Sequence, residues 1–168
     1  IIPGNMMGYQ WFDLYPGGVY ISEAGPKEYD LINQEIELSI LKLKDTIDFY
    51  LEKLKLDTTD CFLMGFSQGG IMTFEYARRM QTKLGGIAII SGRIIKKNEN
   101  TNTNLQKTPI FISHGSQDDV LPSSNFNESI QYLKSNQYKF ESHLIEGDTH
   151  TISPNTINLF QKFIKKNI

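Results

Sequence analysis

The sequence predicts an α/β protein in which a mostly parallel sheet is covered by helices on both faces. Short apolar runs typical of buried strands alternate with longer segments of helical periodicity, which favours parallel strands joined through helices. The chain has 168 residues, enough for one domain with a substantial core. Its 39% apolar and 21% charged residues are typical of a folded globular protein rather than a disordered chain.

The first third of the chain predicts a loop, a long helix and a strand. Residues 1–27 are rich in glycine, proline and aromatic residues, and we expect a loop there with one short strand at 10–14. Apolar residues between Leu31 and Leu54 then recur at steps of three to five, which predicts one amphipathic helix ending near 56–58. The short apolar run at 61–64 predicts a buried strand.

The remaining elements alternate in the same way. Three further strands are predicted: a second buried strand at 84–91, a third strand at 108–115 and a fourth at 138–147. Three segments with helical periodicity lie between and after them: 69–80, 122–134 and 156–166. The polar stretch 96–107 predicts a surface loop. Asn125 and Glu128 are spaced to form a capping pair near the start of the predicted helix 122–134.

Charge and cysteine content exclude several function classes. The formal net charge of −2 provides no basic field for nucleic acid or an acidic membrane surface. A single cysteine excludes an internal disulfide and a metal site built on several thiolates. No apolar run approaches the roughly 20 residues of a membrane-spanning helix. The near-neutral charge and the single thiol favour a cytoplasmic protein.

The stretch from Gly65 to Gly69 matches the pattern G-x-S-x-G, with Ser67 at its centre. It follows a predicted strand and opens a predicted helix, which is the setting of a nucleophile elbow. In such a turn the serine has a strained backbone, and glycines on both sides leave room for it. The backbone N–H of Gln68 then faces a developing oxyanion at the helix N-terminus. The alternative is an unreactive glycine-rich turn.

A serine nucleophile needs a base, and three histidines are available. His150 lies in the loop after the last predicted strand, at the edge where sheets of this kind gather catalytic residues. In this fold the order along the chain is serine, acid, histidine, and His150 follows the candidate acids. We expect His114, at a strand end, to have a structural role, and His143, inside a strand, to be packed or on the surface.

The acid candidates are Asp118 and Asp119, in the loop after the third predicted strand. We expect one of them to accept the imidazole N–H of His150 and the other to cap the turn into the next helix. Asp148 lies only two residues before His150 and is expected to form a loop turn.

Three segments, "GFSQGG", "HGSQDDVLP" and "EGDTH", resemble the signature segments of the carboxylesterase, lysophospholipase and acyl-protein thioesterase family of α/β-hydrolases. "QWFDL" followed by a long helix resembles the same family upstream of the nucleophile turn, so the resemblance covers essentially the whole chain. It implies an α/β-hydrolase fold over residues 1–168, with Ser67 as nucleophile and His150 as base. It also implies Asp118, rather than Asp119, as the acid and Gln68 as an oxyanion donor.

The resemblance implies a serine hydrolase that cleaves esters or thioesters through an acyl-enzyme, with no metal and no organic cofactor. The implied substrates are small carboxylic esters, lysophospholipids or acylated proteins. Trp11, Phe12 and Asp13 match a family stretch that we expect to be mainly structural, with Trp11 lining an acyl pocket as the alternative. Two other functions stay open: a peptidase of the same fold, and an impaired hydrolase fold that acts as a binding module.

One departure from the family pattern concerns the N-terminus. Members of the family begin with one or two strands and a His-Gly loop that supplies a second oxyanion donor. The only His-Gly pair in this sequence is His114-Gly115, which belongs to the acid loop. We therefore expect the N-terminal part of the fold to be missing from this chain.

Overall fold

The computed structural model describes residues 8–80, 82–95 and 103–168 of the chain. Within these ranges the structure contains four strands: β1 (Phe62–Phe66), β2 (Gly86–Ile90), β3 (Ile110–Gly115) and β4 (Phe140–Ile145). Five α-helices accompany them: α1 (Pro26–Leu54), α2 (Gln68–Arg79), α3 (Thr103–Lys107), α4 (Ser123–Ser135) and α5 (Pro154–Asn167). Two short 3₁₀ turns lie at Pro16–Gly18 and Thr58–Asp60.

The four strands form a parallel sheet in the order β1-β2-β3-β4. Each connection between neighbouring strands contains a helix, as parallel pairing requires. The two central strands are buried along their whole length, which explains why their sequences are almost continuously apolar. The predicted parallel sheet is confirmed.

Helices cover both faces of the sheet, also as predicted. On one face α2 packs against β1 and β2, α4 packs against β3, and α1 packs on the outside of α2. The core of this face includes Ile87, Ile89 and Ile112 from the sheet. On the other face α5 packs against β2 and β3, where Phe163 contacts a core formed with Phe111.

The segment at 10–14 is not the strand that the sequence predicts. Side chains of α1, rather than a neighbouring strand, bind its backbone. The Ser39 hydroxyl donates to the Trp11 carbonyl at 2.6 Å, and the Asp13 N–H donates to Glu35 Oε2 at 2.8 Å. These partners lie more than 20 residues away in sequence, so no local pattern indicates them.

The predicted capping pair at the start of α4 is also wrong. Pro122 precedes the helix, and no side chain caps it. Asn125 instead donates from Nδ2 to the Ser22 carbonyl at 3.0 Å, and Glu128 Oε2 lies 3.7 Å from the guanidinium of Arg93. Both side chains are used to hold neighbouring loops.

Two predicted boundaries change. The long helix begins at Pro26, five residues before the apolar stripe, because proline is suited to the first helical position and the Gly25 N–H donates to Glu28 Oε2. The predicted loop 96–107 contains helix α3, which is held by the buried side chain of Leu105. Residues 96–102, and residues 1–7 of the predicted N-terminal loop, lie outside the described residues.

Candidate active site

Ser67 is the single residue between the end of β1 and the start of α2. Its backbone angles are φ 53° and ψ −120°, a conformation that non-glycine residues rarely adopt. Its N–H donates to the Ile90 carbonyl at 2.8 Å, so the neighbouring strand holds the turn in place. The serine is therefore held in a strained turn at the carboxyl edge of the sheet, as an elbow requires.

Only one of the two flanking glycines is required because a side chain would not fit at its position. A Cβ atom at Gly65 would lie 2.0 Å from the Gly69 carbonyl oxygen, a distance that backbone cannot accommodate. A Cβ at Gly69 would meet nothing within 4 Å. The expectation that both glycines make room for the turn is thus correct for Gly65 and wrong for Gly69.

His150 lies in the loop between β4 and α5 and reaches both predicted partners. Its Nε2 is 2.9 Å from Ser67 Oγ, and its Nδ1 is 2.8 Å from Asp118 Oδ2. With the proton on Nδ1 donated to the carboxylate, Nε2 is free to accept the serine hydroxyl. The ring packs against the ring of Phe66, with centroids 4.7 Å apart, on the strand that presents the serine.

Asp118 is buried and its carboxylate accepts from three donors. Oδ1 accepts from the backbone N–H groups of Val120 at 3.0 Å and Leu121 at 2.9 Å, while Oδ2 accepts from His150. One carboxylate thus orients the histidine and caps its own turn. The sequence assigned these tasks to two residues, but Asp119 is exposed and the capping is done by Asp118.

Two contacts join the acid loop to the base loop. A Cβ at Gly115 would lie 2.3 Å from the Asp148 carbonyl, so glycine allows the end of β3 to approach the loop that carries His150. The Gln117 N–H donates to the same carbonyl at 2.9 Å. The Asp148 N–H donates to the Ile145 carbonyl at 3.3 Å, in agreement with its expected place in a loop turn.

The other two histidines do not contact Ser67. His114 is buried next to the acid, with Nε2 2.6 Å from the Leu121 carbonyl and 3.3 Å from Asp118 Oδ2. Burial lowers the pKa of His114, so its imidazole is neutral and donates from Nε2. His143 is half-buried and its ring lies beside Phe111, with centroids 5.3 Å apart. Both positions agree with the structural roles expected from the sequence.

Gln68 has a backbone N–H at the start of α2 and a side chain that makes two hydrogen bonds. It is the first residue of α2, where an N–H has no carbonyl partner within the helix and can face a developing negative charge. Its side chain, which the sequence left without a role, accepts from the Trp11 N–H at 2.9 Å and donates to the Phe12 carbonyl at 2.7 Å. The partners are 57 and 56 residues away, so no local pattern indicates this contact.

The three residues of the Trp-Phe-Asp stretch differ from one another in burial and contacts. Phe12 is buried in the core and the backbone of Asp13 is bound to α1, as the structural expectation requires. The Trp11 side chain is 41% exposed. It lines a pocket of about 330 Å³ together with four other residues: Tyr9, Gln10, Ser39 and Lys42.

Within the described ranges, no group of three or more His, Cys, Asp or Glu side chains is arranged to hold a metal ion. In the same part of the chain, no helix is both long and apolar enough to cross a membrane.

The sequence model of the family described as Phospholipase/Carboxylesterase matches residues 1–168, which is the whole chain. The chain belongs to the phospholipase/carboxylesterase family. Among its curated relatives, acyl-protein thioesterase 1 from Saccharomyces cerevisiae is 31% identical over 174 residues, covering 98% of this chain and 71% of the relative. Acyl-protein thioesterase 1 from Eremothecium gossypii is 35% identical over 112 residues, covering 62% of this chain.

Solved structures give the same fold. The crystal structure of esterase PE8 superposes with a TM-score of 0.77 at 24% identity, covering 98% of this chain and 73% of that one. The phospholipase/carboxylesterase chain therefore has an α/β-hydrolase fold. The match spans 46% of the Eremothecium gossypii protein, so this chain corresponds to part of the length of such relatives.

Proposed function

We propose that the chain hydrolyses carboxylic esters or thioesters, with Ser67 as nucleophile, His150 as general base and Asp118 as the acid that orients the base. The observation that carries the proposal is the unbroken hydrogen-bonded path from Ser67 Oγ through the imidazole to the Asp118 carboxylate, at 2.9 and 2.8 Å. Membership of the phospholipase/carboxylesterase family supports it, as do the relatives that are named acyl-protein thioesterases.

In the first step Ser67 Oγ attacks the carbonyl carbon of the substrate and its proton passes to His150 Nε2. Asp118 stabilises the resulting imidazolium through Nδ1–H. The Gln68 N–H donates to the oxyanion of the tetrahedral intermediate. When the intermediate collapses, the alcohol or thiol leaves with the proton from Nε2 and an acyl-Ser67 ester remains.

In the second step water takes the place of the leaving group. His150 Nε2 accepts a proton from the water as its oxygen attacks the acyl carbon. The second tetrahedral intermediate then releases the carboxylic acid, and the proton returns from Nε2 to Ser67 Oγ. Every proton in the cycle is carried by His150, so no metal or organic cofactor is needed for this chemistry.

Acylated protein thiols are the first substrate class in this proposal, since two relatives are named as acyl-protein thioesterases. Lysophospholipids and small carboxylic esters present the same acyl carbonyl and belong to the proposal as well. We place the reaction in the cytoplasm, on the charge and thiol content of the sequence. Trp11, with an exposed ring and a backbone N–H that donates to the Gln68 side chain, is proposed to contact the acyl chain.

Labelling with a fluorophosphonate tests the nucleophile directly. We expect intact-mass spectrometry to detect one adduct on the folded chain and peptide mapping to place it on Ser67, because only an activated serine reacts. Ser67→Ala is expected to abolish both the adduct and hydrolysis of p-nitrophenyl acetate. Ser135→Ala is the matched control and keeps both, because Ser135 is exposed at the end of α4, which leads away from the carboxyl edge of the sheet.

The same samples separate the alternatives. Hydrolysis of p-nitrophenyl esters with no cleavage of the matching anilides supports an esterase over a peptidase. A folded wild-type chain that takes no label would support the binding module instead, and labelling that persists in Ser67→Ala would show that the nucleophile is misassigned.

A further inference from the structure

The segment Trp11–Asp13 belongs to no strand or helix and is hydrogen-bonded to the residue that follows Ser67. Two of its backbone groups are bound by α1, through Ser39 and Glu35. Its two other backbone hydrogen bonds given by the structure, from the Trp11 N–H and to the Phe12 carbonyl, both join the side chain of Gln68. Gln68, the first residue of α2, therefore holds this segment against the helix that begins next to Ser67.

The two bonds of Gln68 require a carboxamide. Its Oε1 accepts from the Trp11 N–H and its Nε2 donates to the Phe12 carbonyl, at 2.9 and 2.7 Å. A carboxamide presents an acceptor and a donor side by side in one plane, whereas a carboxylate presents two acceptors and a thioether presents no donor. Of these three groups, only the carboxamide of Gln68 can both accept from the Trp11 N–H and donate to the Phe12 carbonyl.

Burial and exposure alternate along the segment that Gln68 holds. Phe12 is inserted into the core, which anchors the segment, while the adjacent Trp11 is 41% exposed and lines the pocket shared with Tyr9 and Lys42. The Gln68 amide binds the backbone of both residues. It therefore controls where the exposed ring lies relative to the peptide N–H of residue 68 itself.

We propose that the side chain of Gln68 is a positioning residue that sets acyl-chain specificity: it holds Trp11 as an apolar wall for the acyl chain while its own N–H faces the oxyanion. The inference rests on the proposed function and goes beyond it, because it gives the side chain a role separate from that of the backbone. An ester with a long acyl chain reaches the wall, whereas an acetyl ester does not.

Gln68→Met tests the role in specificity, because methionine matches the length of glutamine and makes neither bond. We expect KM for p-nitrophenyl octanoate to rise about tenfold, as expected for losing two backbone hydrogen bonds that hold a binding wall. For p-nitrophenyl acetate we expect a smaller rise in KM, so the ratio of the two KM values reports the acyl-chain wall separately from the backbone N–H of residue 68, which methionine retains. An equal change for both esters would overturn the proposal.

Trp11 is the only tryptophan, so its fluorescence reports on this segment without any catalysis. We expect acrylamide to quench Trp11 more strongly in Gln68→Met than in the wild-type chain. In Gln68→Glu we expect strong quenching at neutral pH and a return towards the wild-type value in acid, because a protonated carboxyl regains a donor for the Phe12 carbonyl. A residue that only fills space would give no such recovery.

Gln106→Glu is the matched control for this pair of measurements. Gln106 donates to the Asn136 carbonyl at 3.4 Å and lies on α3, which precedes β3 and so sits at the opposite edge of the sheet from Ser67. We expect its quenching to be that of the wild-type chain at both pH values. Unchanged Trp11 quenching in Gln68→Met would overturn the proposed positioning role of the Gln68 side chain. Absence of fluorophosphonate labelling in the wild-type chain would instead overturn the proposed function alone.

Discussion

Asp118 combines two tasks in one side chain. Oδ1 accepts the N–H groups of Val120 and Leu121, and Oδ2 accepts the Nδ1–H of His150. Because the first pair fixes the rotation of the carboxylate, the second oxygen is held where the imidazole needs it. The turn that follows β3 and the tautomer of the base therefore depend on the same group.

Asp118→Asn separates these two tasks. The amide oxygen can still accept the two backbone N–H groups, so the turn is retained. The amide NH₂ then faces His150 Nδ1, which favours the tautomer with the proton on Nε2 and removes the acceptor that Ser67 needs. We expect kcat for p-nitrophenyl acetate to fall by roughly 10⁴, as for the equivalent change in other Ser-His-Asp enzymes, while the melting temperature changes little.

Asp119→Asn is the control for that substitution, since it makes the same chemical change one residue away on an exposed side chain. It should leave kcat within about twofold. Comparable losses in both variants would mean that the loop, rather than the orientation of His150, limits activity. A retained kcat in Asp118→Asn would remove this residue from the proposed mechanism.

Helices α1 and α2 are joined by a cluster of charged and polar side chains centred on Glu75. Its carboxylate is 1% exposed and accepts from the Tyr29 hydroxyl at 2.6 Å, from Arg78 at 2.6 Å and from Arg79 at 3.3 Å. Arg79 also pairs with Glu37 of α1 at 2.9 Å. Since α2 begins next to Ser67, this cluster fixes the helix that carries the nucleophile turn.

Glu75→Ala is expected to destabilise the chain by about 3–5 kcal/mol, because it removes a buried carboxylate that Arg78, Arg79 and the Tyr29 hydroxyl all bind. Glu37→Ala removes a carboxylate from the same Arg79, but that side chain is 54% exposed, and we expect a loss of at most about 1 kcal/mol. Urea unfolding followed by circular dichroism measures both. Equal losses would show that burial does not govern this cluster.

At the level of secondary-structure elements, the sequence predicts the strands and helices whose apolar residues follow a local pattern. β2 and β3 are continuous apolar runs because both faces are covered, and α5 has a regular apolar stripe because it packs on one face. The strand expected at 10–14 fails because the backbone groups of residues 11–13 are bound by side chains of Ser39, Glu35 and Gln68. Hydrogen bonds to side chains that are distant in sequence produce no periodic pattern from which they could be predicted.

The residues of the candidate site likewise differ in how far the local sequence predicts them. Ser67, Asp118 and His150 could be selected from the sequence because each follows a strand, and the carboxyl ends of parallel strands meet at one edge. The choice between Asp118 and Asp119 needed a family resemblance, since adjacent carboxylates look alike in sequence. The side-chain role of Gln68 needed the structure, because its partners are more than 50 residues away.

At the scale of the whole molecule, the parallel sheet brings three loops from distant parts of the chain to one edge. Gly115 permits the close approach of two of them, and the β2 end holds the third through the Ile90 carbonyl. His114 lies beneath this junction, within hydrogen-bonding distance of Leu121 and close to Asp118. The stability of the fold and the geometry of the edge are therefore linked at a buried titratable group.

That link predicts how the free energy of unfolding depends on pH. Burial lowers the pKa of His114 below its usual 6.5, against the opposing effects of the Leu121 carbonyl and Asp118 and with a further lowering from His150. The unfolded chain therefore binds more protons than the folded chain between the lowered folded pKa and about 6.5, so stability falls as pH drops through this window. One such group contributes at most about 1.4 kcal/mol per pH unit, and its contribution is constant below the folded pKa.

Urea unfolding of the wild-type chain and of His114→Asn at closely spaced pH values between 7.5 and 5 measures this contribution. Asparagine is polar and does not titrate, so we expect the variant to lose less stability on acidification, whatever its stability at neutral pH. The other titratable groups at this junction, Asp118 and His150, are present in both proteins, and the difference in slope therefore isolates His114. Parallel stability curves would mean that His114 takes up its proton equally readily in the folded and unfolded chains, and that the acid sensitivity of the fold arises elsewhere.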